Sequence, residues 1–201
     1  MNEKPILFNA EMVNAILSGR KTQTRRIIAN AGADNCIPLQ KRTKTKDGIY
    51  THVMDAPAYG LCPLGKPGDQ LWVRECFSDL DDFEFFDPSV PDVISGYWYW
   101  ADGNPEWGNW TKPKPSIHMP RAASRINLKI TGVRVERLQD ISDLDCCDEG
   151  YDGPAVTADN QWPSINWYER LWDSIYGKKE GENWQANPWV WVIEFERMEA
   201  K

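Results

Sequence analysis

The sequence predicts an α+β fold, a small mixed β-barrel of short strands with short helices at its rim. Three observations predict it. Strand-like alternation runs through Leu71–Cys76, Tyr97–Trp100 and Trp189–Phe195. Apolar residues at helical spacing recur beside capping residues in two places, Met12–Leu17 and Ile165–Ile175. No Pro/Ser linker separates two independently patterned halves, so the 201 residues read as one domain, 1–201.

In chain order, Lys4–Phe8 is a short strand with Ile6 and Phe8 on one face. Asn9 is placed to cap the helix that follows, whose stripe is Met12, Val13, Ile16 and Leu17. Gly19 falls where that helix needs a left-handed residue to stop. Beyond it, Arg20, Thr22, Thr24 and Arg26 alternate with Lys21, Gln23 and Arg25, which is strand spacing. Residues 29–66 lose periodicity; within them Lys41, Arg42, Lys44 and Lys46 form a basic run that reads as a mobile solvated loop ahead of a phosphate contact.

Pro67-Gly68-Asp69 is a turn into the strand Leu71–Cys76, with Leu71, Val73 and Glu75 on one face and Trp72 and Arg74 on the other. Residues 77–95 are acidic and proline-punctuated, a surface excursion. Tyr97–Trp100 alternates with aromatics on both faces, and Trp107 and Trp110 lie in the loop behind it. Residues 125–138 form one long strand, or two broken at Gly132. Ser142 and Asp145 have capping-box spacing, so a short helix spans Leu144–Glu149 and ends at Gly150. Ser164 is expected to cap a stronger helix with Ile165, Tyr168, Leu171, Trp172 and Ile175 as its buried stripe and Gly177 as its stop. The last strand sets Trp189, Trp191, Ile193 and Phe195 against Val190 and Val192, so both faces are apolar and the strand is central.

Gly19-Arg20-Lys21-Thr22-x-Thr24-x-Arg26 resembles the signature of the ASCH family, small relatives of the PUA-like RNA-binding domains. Gly68–Glu75 and Trp189–Phe195 match further pieces in the family's order, so the resemblance spans residues 4–28, 60–76, 116–150 and 164–197. It is strongest to a longer branch common in phages and prophages. It implies a PUA-like barrel. Compact members lack counterparts of residues 29–66 and 77–115, which are therefore insertions that decorate the fold and shape access to its site.

One activity in that family removes acetate from N-acetylcytidine by amide hydrolysis. The resemblance carries its catalytic lysine, threonine and glutamate onto Lys21, Thr24 and Glu149. The chemistry is coherent: a threonine hydroxyl needs a base, and a partly desolvated lysine can serve. Glu149 would then pass a proton to the departing amine. Lys21 and Thr24 point to opposite faces of an uninterrupted strand, so their cooperation requires Lys21 to lie in the turn after Gly19. Glu75 is a second candidate for the acid/base role, or a partner for Arg26.

Charge constrains the partner. The chain carries a net −7, yet residues 1–50 hold nine Lys and Arg against four Asp and Glu. A local basic patch of Arg20, Lys21, Arg25 and Arg26 suits one nucleotide or a small ligand better than a long duplex. Eleven tryptophans exceed ordinary packing needs; Trp72 and one of Trp98 and Trp100 are candidate stacking faces for a base. Arg74 joins the binding candidates, and His118, Arg121 and Arg125 make a second polar cluster for phosphate or ribose. With five cysteines lacking C-x-x-C spacing and two histidines, no metal constellation is read and no cofactor is expected. No segment reads as a signal peptide or membrane span, which predicts a cytoplasmic protein. Two classes of function stay open: a metal-independent amidohydrolase of a modified nucleoside, and a non-catalytic PUA-like module that binds RNA, with action for a phage against its host as one form of the second. A ribonuclease is the third reading. Oligomeric state is not legible.

Overall fold

The computed structural model describes residues 2–31, 35–38, 50–81, 96–106, 108–154 and 162–199. The main sheet has five strands in the order β1-β5-β8-β9-β2: β1 Glu3–Leu7, β2 Gln23–Ile27, β5 Gln70–Arg74, β8 Asn127–Arg137 and β9 Trp189–Met198. β1 runs parallel to β5, and the other pairings are antiparallel. The sheet is open, with β1 and β2 as edges. One guanidinium crosses toward the opposite edge: Arg26 on β2 donates to the Leu7 carbonyl at 3.0 Å and lies over the Phe8 ring.

β9 is flanked by β8 and β2, which explains its two apolar faces. Trp191, Ile193 and Phe195 enter the larger core with Ile6, Leu71 and Leu128, while Val190 and Val192 enter a second core under Tyr168, Trp172 and Trp184. The long strand is continuous, with a register shift between Ile130 and Gly132 where a break was one of two expectations.

Helix α1 spans Ala10–Leu17, and the Asn9 side chain accepts from the Met12 amide at 2.8 Å. Gly19 takes φ +77°, and the chain turns there before β2 begins at Gln23. Helix α2 spans Asp143–Asp148 with the reciprocal Ser142–Asp145 box in place. Helix α3 spans Pro163–Tyr176, and its start corrects the sequence reading. Trp162 is the N-cap and Pro163 fills the first turn, where its missing N–H costs nothing. Ser164 instead donates its hydroxyl to Asp143, tying α3 to α2. Ile175 also departs from the expected stripe and is exposed, because the packed line runs from buried Tyr168 and Trp172 to half-buried Tyr176, with the last two rings 4.5 Å apart.

The segments read as insertions contribute to packing where they are described. β3 (Cys36–Pro38) pairs with β4 (Tyr50–His52), and Ile37, Val53, Ala56 and Cys62 are buried in the main core. β6 (Phe77–Asp79) pairs with β7 (Tyr97–Tyr99), so residues 77–79, expected on the surface, bury Phe77 and Ser78. β7 falls on the alternating Tyr97–Trp100 segment, whereas β3, β4 and β6, of three residues each, are too short to show a period. The basic run at 41–46 and Trp107 lie outside the described residues. No helix among the described residues is long and apolar enough to cross a membrane.

Candidate functional site

The turn after α1 carries Lys21 inward. Both the Arg20 and Lys21 amides donate to the Ala15 carbonyl, at 2.9 and 3.0 Å, so the chain is wrapped against the helix end before strand geometry starts. The Thr22 amide then donates to the Asp148 carbonyl at 2.8 Å, bringing this turn against the C-terminal end of α2. Gly150, at φ +109°, lets that helix end approach closely: a Cβ there would stand 3.0 Å from the Ala15 Cβ and 3.6 Å from the Lys21 Cβ.

Glu149 is the C-cap of α2, and its carboxylate is the hub of a buried charge cluster. Lys21 Nζ donates to Glu149 Oε2 at 2.5 Å and to the Glu149 carbonyl at 2.9 Å. Arg25 Nη1 donates to Glu149 Oε1 at 3.3 Å, and the Tyr168 hydroxyl reaches the same oxygen at 3.5 Å. The side chains of Lys21, Arg25 and Glu149 are 0–2% exposed. Arg25 also donates to Glu136 at 3.0 Å and lies 3.5 Å from Asp145. Arg134, half-exposed, bridges those two carboxylates and Glu194, so the cluster runs from the surface of the sheet to Lys21.

Titration follows from this placement. Burial is the largest influence on Lys21 and pushes its amine below the ordinary value; Glu149 opposes that, and Arg26 and Arg25 add to it. Burial, with Glu149 beside it, holds the Tyr168 hydroxyl well up. Burial works against Asp145 as an anion, but hydrogen bonds from Ser142 and Gln23 and the charge of Arg25 outweigh it and hold the carboxyl far below the usual range. Burial pushes the neighbouring Cys146 thiol up to about 12, which makes it inert.

The cluster opens to a cleft of about 360 Å³ between α1, the end of α2 and α3, with Glu149, Gly150, Arg20, Asp152 and Trp167 in its walls. Glu149 also borders a void of about 10 Å³ beside Thr24, Arg25, Arg26 and Tyr168. Thr24 is buried, and its Oγ1 accepts from Arg26 Nη1 at 2.7 Å. Arg20 stands at the cleft rim, paired with Asp152 at 2.7 Å and with the Gly150 carbonyl at 3.0 Å.

Lys21, Thr24, Glu149, Arg20, Arg25 and Arg26 therefore converge, but not as an exposed basic patch. Lys21 and Arg25 are inside, with carboxylate partners, so neither is a surface phosphate contact. The remaining candidates part from this site. Glu75 is buried and chelated by Arg125, at 2.9 Å to each oxygen, rather than paired with Arg26. Arg125 is held on its other side by Asp102. Trp72 is buried, with the guanidinium groups of Arg74 and Arg121 4.6 and 5.8 Å from its ring centre, so it offers no stacking face at the cleft. Trp98 packs against Trp110 and Trp100 donates to Ser78. Arg121 bonds Glu3 and Asn127, and His118 is exposed on a 3₁₀ turn, so His118, Arg121 and Arg125 do not act as one cluster.

Three residues of the site escaped the sequence. Tyr168 reads there as core only, and Glu136 is unremarkable on an alternating strand. Trp167 falls off the helical stripe, and that displacement of a large aromatic from the buried face was the available signal. Among the described residues, no group of three or more His, Cys, Asp or Glu is placed to hold a metal ion.

The molecule is thus an α+β protein with a buried Lys–Glu–Arg cluster that meets an open cleft through Glu149. No family model and no curated protein matches the chain. Among solved structures, it is similar to a DUF984 protein of Enterococcus faecalis V583, with 9% identity, TM-score 0.43, and coverage of 98% of this chain and 80% of that one. It is also similar to an ASCH domain of Lactobacillus crispatus JV V101, with 14% identity, TM-score 0.38, and coverage of 98% and 79%.

Proposed function

We propose that the cleft binds a modified nucleoside and that Lys21, Thr24 and Glu149 hydrolyse an amide on it, N-acetylcytidine being the type substrate. The reading includes membership of the ASCH family, a PUA-like closure of the sheet and a cytoplasmic setting. The observation that carries it is the placement of Lys21 in the turn, before β2 begins, which removes the opposite-face objection to its working with Thr24.

The hydrogen-bond inventory supports the base role. A neutral amine has two N–H donors and one lone pair. The two acceptors on Glu149 use both donors, which leaves the lone pair for the Thr24 proton. Burial favours that neutral form. As Lys21 takes its proton, Thr24 Oγ forms the bond to the acyl carbon, and Arg26, already donating to Oγ, steadies the alkoxide character it gains before that bond closes. The proton passes from Lys21 to Glu149 and on to the departing amine as its bond to the acyl carbon breaks. Water, deprotonated by the same pair, adds to the acyl carbon of the Thr24 ester; the acyl–Oγ bond breaks as the pair returns that proton to Thr24 Oγ, and the acid is released.

The test is incubation with a panel of N-acylated nucleosides and chromatography of the products. Lys21→Met and Thr24→Ala should each lose at least about 100-fold in kcat/KM, with no further loss when combined, because residues acting as one unit are non-additive. Wild-type protein that binds the nucleoside but releases no acid at any pH would overturn hydrolysis. That outcome favours the second reading, a non-catalytic RNA-binding module, for which the burial of Thr24 speaks.

A further inference from the structure

The cleft does not end at the nucleoside-sized cavity. A second, shallower hollow of about 580 Å³ lies along α1 and α3, and Glu11, Trp167 and Leu171 belong to the walls of both. Trp167 therefore stands on the ridge between them. It is half-buried and fixed by tilted contacts with Tyr151 at 5.4 Å and Tyr168 at 6.2 Å. One turn further along the same helix, Arg170 lines the outer hollow, is exposed, and has no ion pair among the described residues. The inner charges are matched: Arg20 with Asp152, Lys21 and Arg25 with Glu149. The outer hollow has Glu11 on the shared wall and Arg170 beyond it.

Resting on the nucleoside reading above, we infer that the two hollows form one groove for single-stranded nucleic acid, with Trp167 as the stacking face and Arg170 as the contact for a flanking phosphate. The ligand is then a modified base within an oligonucleotide rather than a free nucleoside. An inner cavity near the small end of ordinary ligand sites holds the base and sugar, and the strand leaves over Trp167. A rigid indole suits this place, since stacking tolerates any base. Arg170 supplies a cation that has no ion-pair partner to lose among the described residues. Glu11 opposes a phosphate on the shared wall and so directs the backbone to the Arg170 side.

Equilibrium binding to Thr24→Ala protein tests this, because that variant holds acylated probes without turnover. The probes are N-acetylcytidine and a trinucleotide with N-acetylcytidine at its centre. The trinucleotide should bind at least about tenfold tighter, and Trp167→Ala should weaken both about tenfold or more. Arg170→Gln should remove most of the trinucleotide's advantage, leave the nucleoside within about twofold, and reduce the salt slope by about 0.7, the share of one single-strand phosphate. Glu11→Gln should tighten the trinucleotide alone. Equal affinities for the two probes, or an Arg170→Gln protein that treats them as before, would overturn the groove and leave the nucleoside reading intact. Binding of the trinucleotide without the nucleoside supports the groove and removes the free nucleoside as a ligand. Binding of neither probe overturns both.

Discussion

Two glutamates lie buried in this molecule against arginine, and they do different work. Glu75 is chelated by one arginine, both oxygens at 2.9 Å, and Asp102 fixes the far side of that arginine. Glu149 is contested by three donors at 2.5, 3.3 and 3.5 Å, and borders both the cleft and the void beside Thr24. The Glu75 assembly joins the 3₁₀ turn after β7 to the end of the main sheet, where Arg125 also covers the Tyr99 ring at 4.1 Å. A buried carboxylate is thus not in itself a site. What separates the two is unequal competition for the carboxylate and an opening through which a ligand can join it.

The difference is broken most severely by removing the cation from each. Arg125→Met leaves Glu75 buried with no guanidinium, and should cost about 3 kcal/mol or more of stability. Lys21→Met leaves Glu149 with Arg25 and removes a charge that burial already disfavours, so stability should hold within about 1 kcal/mol. Urea unfolding of the two variants, run beside the nucleoside assay, checks this. Arg125→Met should lower stability and leave turnover per folded molecule intact; the reverse pattern would mean the two assemblies are misassigned.

A smaller effect is expected at Gly150. Alanine there must adopt φ +109° with its Cβ 3.0 Å from Ala15, a strain of about 1–3 kcal/mol. Because the Ala15 carbonyl holds the Lys21 amide at 3.0 Å, displacing Ala15 should also shift Lys21 and lower turnover. An alanine at Gly68, at φ +91° with open space around it, carries the backbone strain alone and serves as the control. Equal losses of activity in the two variants would show that crowding at Ala15 has no part.

What the sequence discloses here is local, and what it conceals is long-range. Asn9, Gly19 and the Ser142–Asp145 box act within a few residues, so the ends of α1 and α2 were legible. The central place of β9 was legible because both its faces are apolar. Ser164 failed as a cap because Pro163 competes for the helix start one residue earlier. The partners of Glu75 were wrong because Arg26 and Arg125 are equally plausible in one dimension; only pairing of β5 with β8 decides between them. Arg25 read as a surface cation for the same reason: Glu136 lies 111 residues away and Glu149 lies 124 away. The expected barrel is not what the main sheet shows: β1 and β2 remain its edges, and whether two edges pair is set by their approach in space, which no run of residues encodes.

The finest contrast is in pH. Lys21 has an amine pushed below its ordinary 10.5, so the rate should rise with pH as that proton leaves, and level off before 10.5. Stability should move in the same direction: between the lowered folded value and 10.5 the unfolded chain binds a proton that the folded chain does not, so raising pH favours folding there. Glu149 is the one carboxylate that lifts Lys21 against burial. Glu149→Gln removes that negative charge and should carry the rising limb of kcat/KM to lower pH, while the maximal rate falls because an amide cannot deliver the proton. Glu75→Gln removes an equally buried carboxylate that touches Arg125 and not Lys21, so its limb should stay where the wild type has it. Profiles of the three proteins from mildly acid to alkaline pH measure both shifts. A limb that stays fixed in Glu149→Gln would show that the titrating base is not Lys21, and the likeness of the two glutamates would then be deeper than their surroundings suggest.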